Sequence, residues 1–200
     1  MNQFNPVVKE YISAHFLAIN AVQAEFDGVV FESCEFKDCD FTEAVFTKCK
    51  FSDCRFINCN LSVVNLGYSQ FRAVEFEGCK IIGVNWTKAH WPRISFFTVL
   101  NFQRCILNDS SFFGLALEEI IVQECKAHDV DFRGTNLRAA NLSHTDFTNS
   151  LFNKTNLSAA DFTEAMHYDI DILNNDIRKA KFSRYEAVRL LQCLDIELVD

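Results

Sequence analysis

Cut every five residues from Ala24, the chain reads AEFDG VVFES CEFKD CDFTE AVFTK CKFSD CRFIN CNLSV VNLGY SQFRA VEFEG CKIIG VNWTK AHW. The middle residue of each block is large and apolar fourteen times in succession: Phe26, Phe31, Phe36, Phe41, Phe46, Phe51, Phe56, Leu61, Leu66, Phe71, Phe76, Ile81, Trp86 and Trp91. A helix repeats its apolar side every three to four residues and a strand every two, so neither produces a period of five. That period keeps one side inward only if the backbone turns back every five residues. It predicts an all-β solenoid, a β-helix built from short straight sides.

The same phase runs backwards through Tyr11, Phe16 and Ala21, so residues 1–23 are expected to form a cap or an irregular first coil, ahead of a regular run at 24–91. At WPRISFFTVL the phase slips by one, and 92–96 is read as a bend. Proline fixes its own φ and restrains the residue before it, which makes Trp91 and Pro92 the bend residues, with a cis and a trans bond both open. A second repeat segment then occupies 97–182, with centres from Phe97 through Phe102, Leu107 and Phe112 to Phe162, Ile172, Ile177 and Phe182. Residues 183–200 leave the repeat. Ser183 and Glu186 have capping-box spacing, and Ala187, Leu190, Leu191 and Leu194 have helical spacing, which predicts a short C-terminal α-helix at about 184–194. Val188, Leu191, Leu194, Ile196 and Leu198 supply an apolar side that either folds over the last coil or meets a second copy.

Composition changes this picture little. Of 200 residues, 49% are hydrophobic and 21 are Phe, while only 6 are Gly and 2 are Pro, too few turn formers for a chain of hairpins. With no long apolar run and no basic region ahead of one, the expected location is cytoplasmic. Eight of the nine cysteines stand two residues before a centre, in a slot shared with Ala24, Ala44, Val64, Val74, Ala140 and Ala160. Small buried thiols behave as small hydrophobes, and their spacing lacks the close pairs of a zinc site. No metal and no cofactor are expected.

The blocks TNLRA, ANLSH, TDFTN, TNLSA and ADFTE at Thr135 to Glu164 resemble the pentapeptide-repeat family. The resemblance implies a right-handed quadrilateral β-helix with five residues per side and twenty per coil. The segments GVNWTKAHWP, RCILNDSSFFGL, DIDILNNDI and LDIEL resemble the albicidin-resistance branch of that family, a relative of the quinolone-resistance branch. This narrower resemblance implies a homodimer joined through its C-terminal ends that mimics duplex DNA and binds DNA gyrase. Some quinolone-resistance relatives carry functional loops, whereas this sequence shows no long insertion.

Charge tests that reading. The chain carries 27 acids and 19 bases, a net charge of −8, but residues 107–172 hold eleven acids against four bases. The expected partner-facing surface consists of Asp109, Glu118, Glu119, Asp129, Asp131, Asp146, Asp161, Glu164, Asp169 and Asp171. Counting twenty residues per coil puts Asp109, Asp129, Asn149 and Asp169 in one column, and Asp131 and Asp171 in another. Stacked like charges repel and do not assist folding. They suit a basic partner, although acids also occur at these positions for solubility alone. Direct nucleic-acid binding would need the opposite sign. For an enzyme, the five histidines form no catalytic pattern and no phosphate-binding glycine loop is present. An interaction scaffold with an unrelated partner is the alternative reading. Eight coils at about 4.8 Å each give a rod of roughly 38 Å, about twice that in a dimer.

Overall fold

In the computed structural model, which describes residues 7–91, 100–197 and 199, the chain winds into a right-handed quadrilateral β-helix of about eight coils. Three-residue strands such as Glu10–Ile12, Val30–Glu32 and Lys50–Ser52 stack in parallel, one per coil. Pairing begins with Glu10 on Val30 and His15 on Glu35, so the first coil already follows the twenty-residue register.

Each side exposes two residues and buries its centre. Stacked coils bring centres into columns: Phe16, Phe36, Phe56, Phe76 and Phe102 lie ring on ring at 5.0, 4.5, 5.0 and 5.0 Å. Neighbouring columns meet edge to face, as Phe31 meets Phe36 at 5.4 Å. Both arrangements suit the ring quadrupole. At nearly every corner one residue adopts left-handed φ, for example Asp38 at +53°, Val63 at +60° and Gly134 at +68°, the 3-10 turn Trp86–Lys88 being an exception. Only glycine, and to a lesser degree Asn and Asp, accept that conformation readily.

The small slot before each centre is more than a space for a small apolar group. Thr145 Oγ1 accepts from the Cys125 N–H at 3.2 Å and donates to the Val122 carbonyl at 2.8 Å. Ser69 makes the same pair of bonds to Cys49 and Phe46, at 3.0 and 2.8 Å. Cysteine does so more weakly: Cys125 Sγ accepts from the Cys105 N–H at 3.3 Å and donates to the Phe102 carbonyl at 3.5 Å. The thiol therefore satisfies buried backbone groups that the corner turns away from the ladder. Eight cysteines are buried and all nine are free. Hydrogen bonds along the thiol column act in both directions, Cys39 lowering Cys59 and Cys105 raising Cys79, and with burial the net effect pushes both thiols up to about 12.

Two register expectations are corrected. Phe76 pairs with Phe102 and Asn85 with Ser111, so this turn uses 26 residues where a coil uses 20. The slip is six residues, not one. A five-residue period records position only modulo five, so the sequence could not tell one from six. The stack is not divided there: Phe76 lies on Phe102, and Trp86 lies on Phe112 at 5.7 Å. Trp91 packs on Phe71 at 6.3 Å and donates from Nε1 to the Trp86 carbonyl at 2.8 Å, while Pro92 and Phe97 lie outside the described residues. In the last coil, Leu151 pairs with Asp169 and Phe152 with Ile170, only 18 apart. Tyr168 and Ile170 are fully buried there, and Ile172 is not a core centre.

The C-terminal helix is also corrected. Glu186–Leu194 forms a 3-10 helix, and Ser183 and Glu186 do not cap it. Instead Ser183 Oγ accepts from the Glu164 N–H at 2.8 Å, and Glu186 Oε1 accepts from the His167 N–H at 2.8 Å. The last coil has no following coil to take these donors, so the two side chains do so. Arg189 Nε donates to the Tyr168 carbonyl at 3.1 Å.

Candidate functional site

The rod has four faces and four edges, and the ten acids named above fall on all four faces and on three of the edges. On one face Asp131 follows Ser111, and Leu151 and Asp169 follow Asp131. The adjacent face carries Lys126, Asp146 and Met166 in line. The edge between these two faces carries Asp109 at φ +59°, Asp129 at +56° and Asn149 at +59°. The fourth member of that column is His167, also left-handed at +55°, because the 18-residue step brings it under Asn149. Asp169 therefore belongs to the column of Asp131, and Asp171 follows it on the same face. This corrects both columns counted at a fixed period of twenty.

Charge is less concentrated than the sequence suggests. Arg133 grips Asp131 through Nε and Nη2 at 2.9 and 2.8 Å, which holds the Asp131 carboxyl below its usual range. Glu118 takes Arg138 at 3.2 Å, and Asp161 takes Lys181 at 3.0 Å. Asp146 lies between His128 Nε2 and His167 Nδ1, each at 2.9 Å, and also accepts from Thr148. Its partial burial pushes its pKa up, but hydrogen bonds from Thr148, His167 and His128 outweigh that and hold it well below the ordinary carboxylate value. Glu164 Oε1 accepts from Ser183 Oγ at 3.0 Å. Among the described residues Asp109, Glu119, Asp129 and Asp169 have no ion pair, and the Asp171 carboxylate, also without one, accepts from Asn174 and the Leu173 N–H and lies against the Cys193 thiol. Glu119 lies on a different edge from Asp109 and Asp129. Acid without an ion pair thus gathers on one edge and the face beside it, while Glu119 and Glu164 stand apart on other edges.

The residues sequence reasoning missed are on that face. Phe113 is 54% exposed and lies under the Arg133 guanidinium at 5.8 Å; Leu151 is 47% exposed. Neither breaks the five-residue pattern, because both occupy outward positions; only their apolar character at an outward slot marked them. At the C-terminal end Val188, Leu194 and Ile196 are exposed, as are Leu173 and Tyr185. Leu191 is half-buried, Leu190 packs on the core, and no helix residue is fully buried. Leu198 lies outside the described residues. Among the described residues no group of three His, Cys, Asp or Glu side chains is placed to hold a metal ion, and no helix is long and apolar enough to cross a membrane.

Comparison with known proteins follows the same lines. The family model described as a pentapeptide repeat region matches residues 29–99 and 97–162. The chain is similar to solved structures of QnrB1, a plasmid-mediated fluoroquinolone resistance protein. One trypsin-treated variant gives a TM-score of 0.72 at 21% identity, covering 96% of this chain and 90% of that one. A second gives 0.63 at 20%, covering 100% and 96%, and the full-length form gives 0.57 at 19%, covering 94% and 100%. At these identities the likeness is one of fold. No curated protein sequence matches the chain.

Proposed function

Because the chain belongs to the pentapeptide-repeat family, we propose that it is a cytoplasmic DNA-mimicking protein that binds DNA gyrase. It protects the enzyme from a topoisomerase poison, with albicidin the first candidate, and performs no chemistry of its own. The observation that carries the reading is the unpaired acid of Asp109, Asp129, Asp169 and Asp171 along one edge and its neighbouring face. A straight rod of about 38 Å with acid along one side has the dimensions and sign that a protein groove made for duplex DNA accepts. QnrB1 is a fluoroquinolone resistance protein, which supports a protective role on the same fold, and the four segments resembling the albicidin-resistance branch favour albicidin. The exposed Tyr185, Val188, Leu194 and Ile196 support a homodimer through the C-terminal ends, which would set two acidic halves at its centre.

The internal pairing of Glu118, Asp131, Asp146 and Asp161 favours a second reading, a structural scaffold with an unrelated partner. Gyrase supercoiling assays with albicidin or a fluoroquinolone, with and without this protein, separate the two. Protection from either poison is the expected result, and neither protection nor inhibition at high protein would overturn the gyrase reading. Reversing Asp109 and Asp129 to Lys should abolish protection while leaving the fold intact; full protection by that variant would reduce the edge to a solvated surface. Truncation after Phe182 should convert a dimer to a monomer by light scattering.

A further inference from the structure

A concavity on the acidic face is built by a departure from the repeat. Coil spacing is 20 from Asp146 to Met166 and again from Asn156 to Asp176, but 18 from Leu151 to Asp169 between them. Two residues are withdrawn before this face and returned after it, in the turn at Asp171 to Asn174. That turn is firmly tied: Asp171 Oδ1 accepts from the Leu173 N–H at 2.8 Å, and Asn175 Nδ2 donates to the carbonyls of Asp171 and Phe152 at 2.8 and 3.1 Å. The result is an open groove of about 420 Å³ lined by Arg133, Asn149, Leu151, Asn153, Asp169 and Asp171.

Its lining is mixed in a way that selects an occupant. Leu151 supplies a half-exposed apolar floor where Ser111 and Asp131 stand in the coils before it. Asp169 has no ion pair among the described residues, while the charge of Arg133 is already matched by Asp131 and its plane is laid over Phe113. The groove therefore presents net negative charge beside an uncovered aliphatic surface. A nucleic acid is repelled from it, and the second copy proposed above meets this chain at the C-terminal end and not in this groove. A side chain with an aliphatic stem and a planar cationic head fits both parts, since a guanidinium can bridge carboxylates through its fork.

We propose that the groove between Leu151 and Asp169 is a docking site for an arginine side chain of a partner protein, the anchor point of the acidic face. This rests on the reading that the face meets a basic protein surface, but it can be tested apart from gyrase. In a ¹⁵N-resolved NMR titration of the full chain with Ac-Leu-Arg-Leu-NH₂, saturable shifts should appear at Leu151 to Asn153 and Asp169 to Asp171. The isosteric neutral peptide, with citrulline for arginine, should bind at least tenfold more weakly. Asp169→Asn should remove the difference, and Glu119→Gln, the same charge change on another edge, should leave it. Shifts spread evenly over all acids, equal binding of both peptides, or no binding would overturn the proposal. With gyrase itself, Asp169→Asn and Leu151→Gln should each weaken binding tenfold or more and Glu119→Gln less than threefold. If wild-type protein ignores gyrase while the peptide maps to the groove, the gyrase reading fails and the groove stands. If gyrase binds and Asp169→Asn does no more than Glu119→Gln, the groove proposal fails alone.

Discussion

Replacing Thr145 by Val tests whether the small slot is a packing position or a hydrogen-bonding one. The two side chains have nearly the same shape, and Thr145 is fully buried, so packing is conserved and only the hydroxyl is lost. The hydroxyl accepts from the Cys125 N–H and donates to the Val122 carbonyl. Valine leaves the N–H with no acceptor and the carbonyl with one partner fewer. An unsatisfied buried donor costs about 1–3 kcal/mol and a lost neutral hydrogen bond about 1 kcal/mol. The expected destabilisation is therefore about 2–4 kcal/mol, or roughly 5–15 °C in Tm for a chain of this size. Thr145→Ser keeps both bonds and loses one methyl, for about 1 kcal/mol. Urea unfolding followed by far-UV circular dichroism would rank the three proteins. Thr145→Val at or above Thr145→Ser in stability would refute the reasoning, and the slot would be apolar after all.

Val63 holds a β-branched side chain at φ +60° on an exposed corner, so Val63→Asn should stabilise the protein by about 1 kcal/mol, read as a higher Tm. Asp146 has its folded pKa held below the unfolded value, so its contribution to stability is present above about pH 4 and is lost as the pH falls through the folded pKa. In Asp146→Asn, unfolding midpoints should be lower at pH 7, and the acid-dependent fall should be shallower than in the wild type. Removing both acceptors at the end of the rod, with Ser183→Ala and Glu186→Ala, leaves the Glu164 and His167 N–H groups without them. Hydrogen exchange should then accelerate in the last coil by tenfold or more, with little change at Phe36 or Phe56.

The sequence alone determined the solenoid, because a core running the length of a rod must be written at every turn, and the centres Phe26 to Trp86 record it without a gap. It also determined which positions face outward, and hence that acid accumulates in the second half. It could not determine how the coils stand on one another. A period of five repeats its signal after one extra residue or six, so the turn between Phe76 and Phe102 was legible only as a phase change. The compensated step at Leu151 and Asp169 left apolar residues at plausible positions on both sides, and Ile172 looked as good a centre as Ile170. Partnering was likewise hidden: Asp131 and Asp169 read alike along the chain, but only Asp131 has an arginine within reach. Backbone hydrogen bonding between coils fixes those neighbours. Tertiary structure therefore decided which acids remain free, that the thiol and hydroxyl slot serves the backbone, and that a groove interrupts the acidic face.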